Sequence, residues 1–363
     1  MIADKEKIEP YRLPAAWHAA RARLRVGAET PCTAFIGRPI FENHGGAGTI
    51  SDEAFAMDVL KTVHMHASAC TAMFTSGIAD CKIAIERMSA GAAVRFMRAV
   101  SGNVLRDRDR QTLSAAFNLN TPIEVRDGAG GGARTVRDRF EVGKLGIELA
   151  RSGGFEKIAW DGASNEVPSR PLVEQLTHEQ LVDLVHMAHE AGLETYISAG
   201  MVAAHMRDAV HAGVDGVGIG TSMHYVDSRT KLMGALKPDA IREALRVRDE
   251  AEGDPLGSAA RTLARLDQMH FEGSLLEAED AARRALHLAL RARDEAAARE
   301  PMKRLERVHA LGEVDLLGSP TLARGRRRLD LLRLSRDGHA SELGEALERR
   351  DAVAVRELIA HPG

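Results

Sequence analysis

Between residues 155 and 250 short apolar runs take turns with amphipathic stretches, and this alternation predicts strand and helix in succession. Lys157-Ile158-Ala159-Trp160 is a brief apolar run that stops at Asp161-Gly162, as a strand feeding a loop does. Thr177 then stands as a helix N-cap, with Gln180 completing a capping box. Leu181, Leu184, Val185 and Ala188 follow at helical spacing, and Ala191-Gly192 closes that element. Thr195-Tyr196-Ile197 predicts the next strand, which ends at Ser198-Ala199-Gly200. A short helix through Met206 and Val210 leads to Ala212-Gly213, and a third strand spans Val214 to Gly220. A helix from Pro238 through Ile241 and Leu245 comes after it. Strands and helices recurring about every 20 to 30 residues imply parallel strands joined by right-handed crossovers.

Upstream, Thr33 to Ile36 and Ile123 to Val125 predict strands, while the Ala- and Met-rich stretch from Ser51 to Val104 reads as mostly helical. The first thirty residues are polar and Arg/Ala-rich and predict a helix leading to Pro31. Beyond Gly253-Asp254-Pro255 nearly everything reads as helix, around Leu263-Leu266, Leu286-Leu290, Leu305-Val308 and Leu329-Leu332. Breaks are expected near Gly273, Pro301, Gly318-Ser319-Pro320 and Gly338. The expected fold class is therefore α/β, a TIM (β/α)8-type barrel with an all-helical C-terminal extension. Its parts are a helical segment over 1–30, a catalytic barrel over 31–252 and a helical domain over 253–363. About five strands can be counted against the eight that close such a barrel.

Composition narrows the function classes. The 363 residues are 44% hydrophobic and 28% charged with a net charge of -3, which excludes a disordered chain and argues against nucleic acid or a membrane as the main partner. Aromatics at 4% are too sparse for base-stacking surfaces. Cys32, Cys70 and Cys81 are too few and scattered for a disulfide framework. With no apolar run of about 20 residues and no signal-like start, the expectation is a cytoplasmic protein. Arg326-Arg327-Arg328, the one dense basic cluster, reads as a solvated helix face.

Candidate chemistry concentrates where the last strands end. Ser198-Ala199-Gly200 and Gly218-Ile219-Gly220-Thr221-Ser222 each follow a predicted strand and precede a predicted helix. Glycines there would let backbone N–H groups approach an anion, and Thr221 and Ser222 would add hydroxyl donors. In (β/α)8 barrels the loops after strands seven and eight are the usual phosphate site. Ser198, Gly200, Gly218, Gly220, Thr221 and Ser222 are thus the expected phosphate-binding set. Asp161, ending its strand, is the expected general acid or base, with a plain Asp-Gly turn as the competing reading. His224 could polarise a carbonyl, and Arg170 in the long loop 162–176, with Asn165, could clamp an anion. The pair His64 and His66 lacks further metal ligands, and the glycine-rich runs Gly128–Gly132 and Gly45–Gly48 read as linkers. Gly128–Gly132 is expected to precede a helix holding Arg134 and Arg137. A lysine on a strand would suggest Schiff-base chemistry, but Lys157 begins a strand and would face the wrong end of a barrel, and Lys82 and Lys144 lie in helical-looking surroundings, so none is expected to serve.

The stretch Phe155 to Glu250 resembles the last three strand–helix units of the phosphate-binding TIM barrels, and most of all the (5-formylfuran-3-yl)methyl phosphate synthase family of methanofuran biosynthesis. The shared pattern is Asp161 ending a strand, and the helix from Leu181 that finishes Ala188-His189-Glu190-Ala191-Gly192-Leu193. It continues with Ala199-Gly200, the strand between Gly213 and Gly218, and Asp227 before a last helix. The family's Asp-Val-Lys-Asn-Pro run is not found, and the helical tail is foreign to it. The resemblance implies a barrel that binds triose phosphate and a catalytic role for Asp161. Three functions emerge as expectations. The first is a lyase or synthase of biosynthesis that acts on a small phosphorylated substrate by acid–base, aldol-type chemistry without a cofactor. The second is an oxidoreductase whose same loops hold flavin mononucleotide (FMN). The third is a non-catalytic barrel scaffold whose C-terminal helices bind a partner protein or a second copy.

Overall fold

The computed structural model describes residues 15–27, 30–39, 52–108, 110–126, 132–163, 169–229, 233–271, 275, 277–310, 325, 329, 340–349, 354–355 and 358. The chain divides into two compact units, Met1–Gly253 and Asp254–Gly363.

The first unit opens with helix α1 (Ala16–Val26), strand β1 (Thr33–Gly37), helix α2 (Asp52–Thr75), strand β2 (Asp80–Ala84) and helix α3 (Ala90–Asn103). Strand β3 (Thr112–Asn118) is followed by β4 (Ile123–Arg126), β5 (Ala133–Val136), helix α4 (Arg139–Ser152) and β6 (Lys157–Asp161). Helix α5 (His178–Glu190), β7 (Glu194–Ser198), the short helix α6 (Met206–His211), β8 (Gly216–Gly218), β9 (His224–Val226), β10 (Met233–Leu236) and helix α7 (Pro238–Gly253) complete it. Six strands form one sheet in the order β1-β2-β3-β6-β7-β8, and every neighbouring pair is parallel. β4–β5 and β9–β10 are separate antiparallel hairpins.

Three expectations change here. The helical reading of Ser51 to Val104 is interrupted by β2, a central strand of the sheet. Ile123 to Val125 is a strand, yet it belongs to a hairpin, and Arg134 lies on β5 paired with Val125 rather than on a helix. The stretch Val214 to Gly220 narrows to the three-residue β8. Among the described residues the parallel sheet has six strands where a closed barrel needs eight.

The two faces of the sheet differ because side chains alternate along each strand. Cys81 and Ile83, Leu113, Ala115 and Phe117, Ile158 and Trp160, and Ile197 are buried on the face that helices α2 to α5 cover. Helix α4 comes close because Gly146 leaves room: a Cβ there would lie 3.1 Å from Phe117 and 3.3 Å from Ile158. The opposite, inner face carries Asp80 and Lys82, Ser114 and Ala116, Lys157, Ala159 and Asp161, and Tyr196 and Ser198. It is polar, with small residues at its centre. Lys82 on β2 reaches Ser198 on β7, three strand steps away, with its Nζ 3.3 Å from Oγ. In a flat sheet three steps span roughly 14 Å, so the sheet is curled about this face.

Helix ends obey local chemistry. The Thr177 Oγ1 accepts from Gln180 N at 3.2 Å while Gln180 Oε1 accepts from Thr177 N at 3.0 Å, the reciprocal cap expected from the sequence. α7 packs Ile241 and Ala244 against Met206, Met223, Val217 and Ile219, flanking β8.

The second unit begins where Asp254 Oδ1 accepts from Gly257 N at 2.9 Å and Pro255 opens helix α8 (Pro255–Phe271), an N-cap followed by an N1 proline. Helices α9 (Glu277–Arg291) and α10 (Glu295–Ala310) pack with α8. Pro301 lies inside α10 and does not end it, contrary to the expected break. A smaller cluster joins Leu343 and Ala346 of helix α11 (Ala340–Glu348) to Leu329 and Val355. Gly273, Gly318-Ser319-Pro320, Gly338, Arg326-Arg327-Arg328 and the glycine runs at 45–48 and 128–131 lie outside the described residues, as does Asn165. Among the described residues no helix is long and apolar enough to cross a membrane.

Candidate active site

The inner face of the sheet converges on its C-terminal rim. Pairing sets Asn118, Asp161, Ser198 and Gly218 side by side at the ends of β3, β6, β7 and β8. Ser198 Oγ donates to Asp161 Oδ2 at 3.0 Å and accepts from Lys82 Nζ at 3.3 Å. The other carboxylate oxygen, Oδ1, accepts from the Ala163 N–H at 2.8 Å, which fixes the carboxylate plane. An amine, a hydroxyl and a carboxylate thus form one hydrogen-bonded series at the rim. Asp161 and Ser198 were expected here; Lys82 was not.

Below the rim, Tyr196 of β7 lies along the inner face with Lys82 Nζ 4.8 Å and Lys157 Nζ 5.7 Å from its ring centroid. Burial pushes the Tyr196 phenol up, and the carboxylates of Asp161 and Asp80 add to the effect. Lys157 also pairs with Glu194 at 3.6 Å and stands 4.0 Å from Asp80. Asp80 Oδ1 accepts from Ser114 Oγ and from Thr112 Oγ1, so this lower layer is closed on itself.

The long loop is pinned against the rim. Gln175 Nε2 donates to Gly162 O and Arg170 O, both at 2.8 Å, and Asn120 Nδ2 donates to Gly162 O at 3.0 Å. Leu172 N donates to Ala199 O at 3.2 Å, tying this loop to the turn after β7. That turn is strained: Ala199 has φ 92° and Gly200 φ 61°. A Cβ on Gly200 would lie 2.1 Å from Ser169 O, so backbone of the long loop fills the space beside it. Close packing accounts for Gly218 as well, since a Cβ there would lie 2.3 Å from the Tyr196 hydroxyl. Gly220 alone of the three is open, with nothing within 4 Å of such a Cβ.

Of the loops expected to hold phosphate, of a substrate or of FMN, the first is followed by the expected short helix and the second is not succeeded by the helix that the sequence predicts. Thr221 and Ser222 form a single 3-10 turn over Thr221–Met223 that runs into β9, so they do not themselves begin an α-helix. Ser222 Oγ donates to Met201 O at 3.4 Å, and Thr221 is exposed. After Gly200 the α6 helix has only 6 residues. His224 lies in the β9–β10 hairpin with Nδ1 2.8 Å from Gly234 O. Arg170 is exposed and paired with Glu174 at 3.7 Å. His64 is exposed and His66 buried on α2, where burial lowers the His66 imidazole despite its bonds to backbone.

The signal that could have found Lys82 was the alternation Asp80-Cys81-Lys82-Ile83-Ala84, period two and five residues long. It comes after a 24-residue helix and carries charge on one face, so it passes for a helix end.

No family model matches the chain, and no curated protein matches it. Among solved structures, the putative copper homeostasis protein CutC from Streptococcus agalactiae is similar at 16% identity. That match covers 56% of this chain and 80% of the other, with a TM-score of 0.34.

Proposed function

We propose that the first unit is a TIM-barrel-type lyase or synthase acting on a small phosphorylated carbonyl compound by aldol-type chemistry. The observation that carries this reading is the hydrogen-bonded series Lys82–Ser198–Asp161, which runs from the middle of β2 to the C-terminal ends of β7 and β6. That is the rim where barrel enzymes place their chemistry, and the sequential strand order fits a barrel of the phosphate-binding superfamily.

Each group then has a role. Lys82 passes a proton through Ser198 to Asp161, and its neutral Nζ attacks the substrate carbonyl carbon; a C–N bond forms, the proton returns to the resulting hydroxyl, which leaves as water, and a protonated imine results. The imine acidifies the neighbouring C–H, and Asp161 takes that proton, leaving an enamine as the carbon nucleophile. Ser198 stands between the two and passes a proton from one to the other. Gly220, Thr221 and Ser222 are the phosphate end, where the space beside Gly220 is open. The same rim serves the reverse direction, carbon–carbon cleavage.

The test uses dihydroxyacetone phosphate and glyceraldehyde 3-phosphate as probes. With borohydride present, the reading expects a reduced adduct mapped by peptide mass spectrometry to Lys82. In heavy water it expects protein-dependent exchange of the proton next to the ketone. Neither adduct nor exchange with either sugar phosphate would overturn it.

A further inference from the structure

We infer that Tyr196 is a positioning residue for Lys82, its ring serving as the platform that holds the amine at the rim; the chemical value of this rests on the reading above. Lys82 begins on β2, and β3 and β6 separate it from its partner on β7. Its stem crosses a face kept low by Ser114, Ala116 and Ala159, all buried. At the far end Nζ meets both the Ser198 hydroxyl, at 3.3 Å, and the Tyr196 ring, at 4.8 Å, among its contacts. The electron-rich face of a ring attracts an ammonium and does so more strongly out of water.

The ring is itself held. Gly216 and Gly218 of β8 form a slot: a Cβ at the first would lie 2.8 Å from Tyr196 Cδ2 and at the second 2.3 Å from the hydroxyl. A Gly-Val-Gly strand is poor at strand formation, and accommodating this ring is what it accomplishes. Lys157 approaches the same ring at 5.7 Å and is bound in turn by Glu194, which sets the ring's lower edge. The phenol remains protonated through burial and the nearby carboxylates, so the ring stays neutral. β8 therefore fixes Tyr196, and Tyr196 aims Lys82.

Reductive methylation with 13C-formaldehyde reports each of the chain's nine lysines as a methyl resonance, and Lys82→Arg assigns one of them. The Lys82 resonance is expected upfield of the exposed lysines through the ring current of Tyr196. The shift should persist in Tyr196→Phe, vanish in Tyr196→Leu and shrink in Gly218→Ala, which keeps every side chain of the site. In parallel, pyridoxal phosphate is the reactive probe: its imine on Lys82 should form in the native protein and Tyr196→Phe, and fall about tenfold or more in Tyr196→Leu. An unshifted Lys82 resonance in the native protein, or equal imine yield in Tyr196→Leu, overturns the platform. A shifted resonance with no imine from any carbonyl probe supports the platform and sinks the imine chemistry instead. Should Tyr196→Leu fail to fold, Gly218→Ala decides: an unchanged resonance there counts against the platform.

Discussion

The two rims of the parallel sheet use the same residue types to opposite ends. At the N-terminal rim, Arg106 is buried and forks onto Glu156, Nη2 to Oε1 at 2.5 Å and Nη1 to Oε2 at 2.9 Å. Glu156 also accepts from Leu113 N at 3.1 Å, and Arg106 donates to Gln111 O at 2.7 Å. Next to it, Asp215 Oδ2 takes Thr195 N and Thr195 Oγ1 at 2.7 Å and His189 Nε2 at 2.8 Å. At the C-terminal rim, Asp161 has one backbone donor and one serine among its hydrogen bonds. Carboxylates at the first rim are tied from several sides and stitch strands to helices. Among the described residues, the Asp161 carboxylate is held by two bonds.

The strongest way to break this comparison is Asp161→Asn. Loss of the titratable proton should slow exchange of the ketone-adjacent proton by about 10²–10⁴-fold while the melting temperature stays within a few degrees. A native exchange rate would make the two rims alike.

Arg106→Met tests the other rim and should do the reverse. Removing one partner from this part-buried ion pair costs about 1–3 kcal/mol, read as a lower urea midpoint. The exchange rate per folded molecule should be unchanged.

Acid sharpens the contrast. Burial alone would push the Asp215 carboxyl up; the His189 charge and the Thr195 donors outweigh it and hold it below the usual carboxylate range. Folding therefore favours its ionised form. That contribution is complete above the ordinary carboxylate range and fades as pH falls through the folded value. Unfolding midpoints measured from neutral pH downward should drop on this limb, and Asp215→Asn should flatten it.

The smallest effect expected is from Gly220→Ala. The space beside it is open, so stability should change by less than about 0.5 kcal/mol in chemical denaturation. Any loss should appear in phosphate-ester affinity, measured by calorimetry.

Much of this fold is legible in the sequence where strands carry an apolar face and helices carry caps. β6, α5 and β7 are readable from Ile158, Trp160, the Thr177–Gln180 box and Ile197. β2 and β3 are not, because their inner positions are Asp80, Lys82, Ser114 and Ala116, polar or small residues that read as exposed. A polar inner face hides its own strands. Asp161 and Ser198 were visible as strand ends, and the structure joins them. Lys82 was invisible because its partner stands 116 residues away, a distance no local pattern spans. Gly200 and Gly218 were seen as glycines that matter, but their reason is steric, set by Ser169 and Tyr196.

The sheet's neighbour order also dictates a schedule. Within the six-stranded sheet each strand from β2 onward pairs with one that precedes it in the chain, and the β4–β5 hairpin intervenes between β3 and β6. During synthesis the sheet can therefore extend in one direction as chain leaves the ribosome, each new edge finding its template already in place. Lys82 emerges early and the serine that receives it late, with the fifth strand of the sheet. A nascent chain that stops before β7 holds four paired strands and still lacks the Ser198 that joins Lys82 to Asp161.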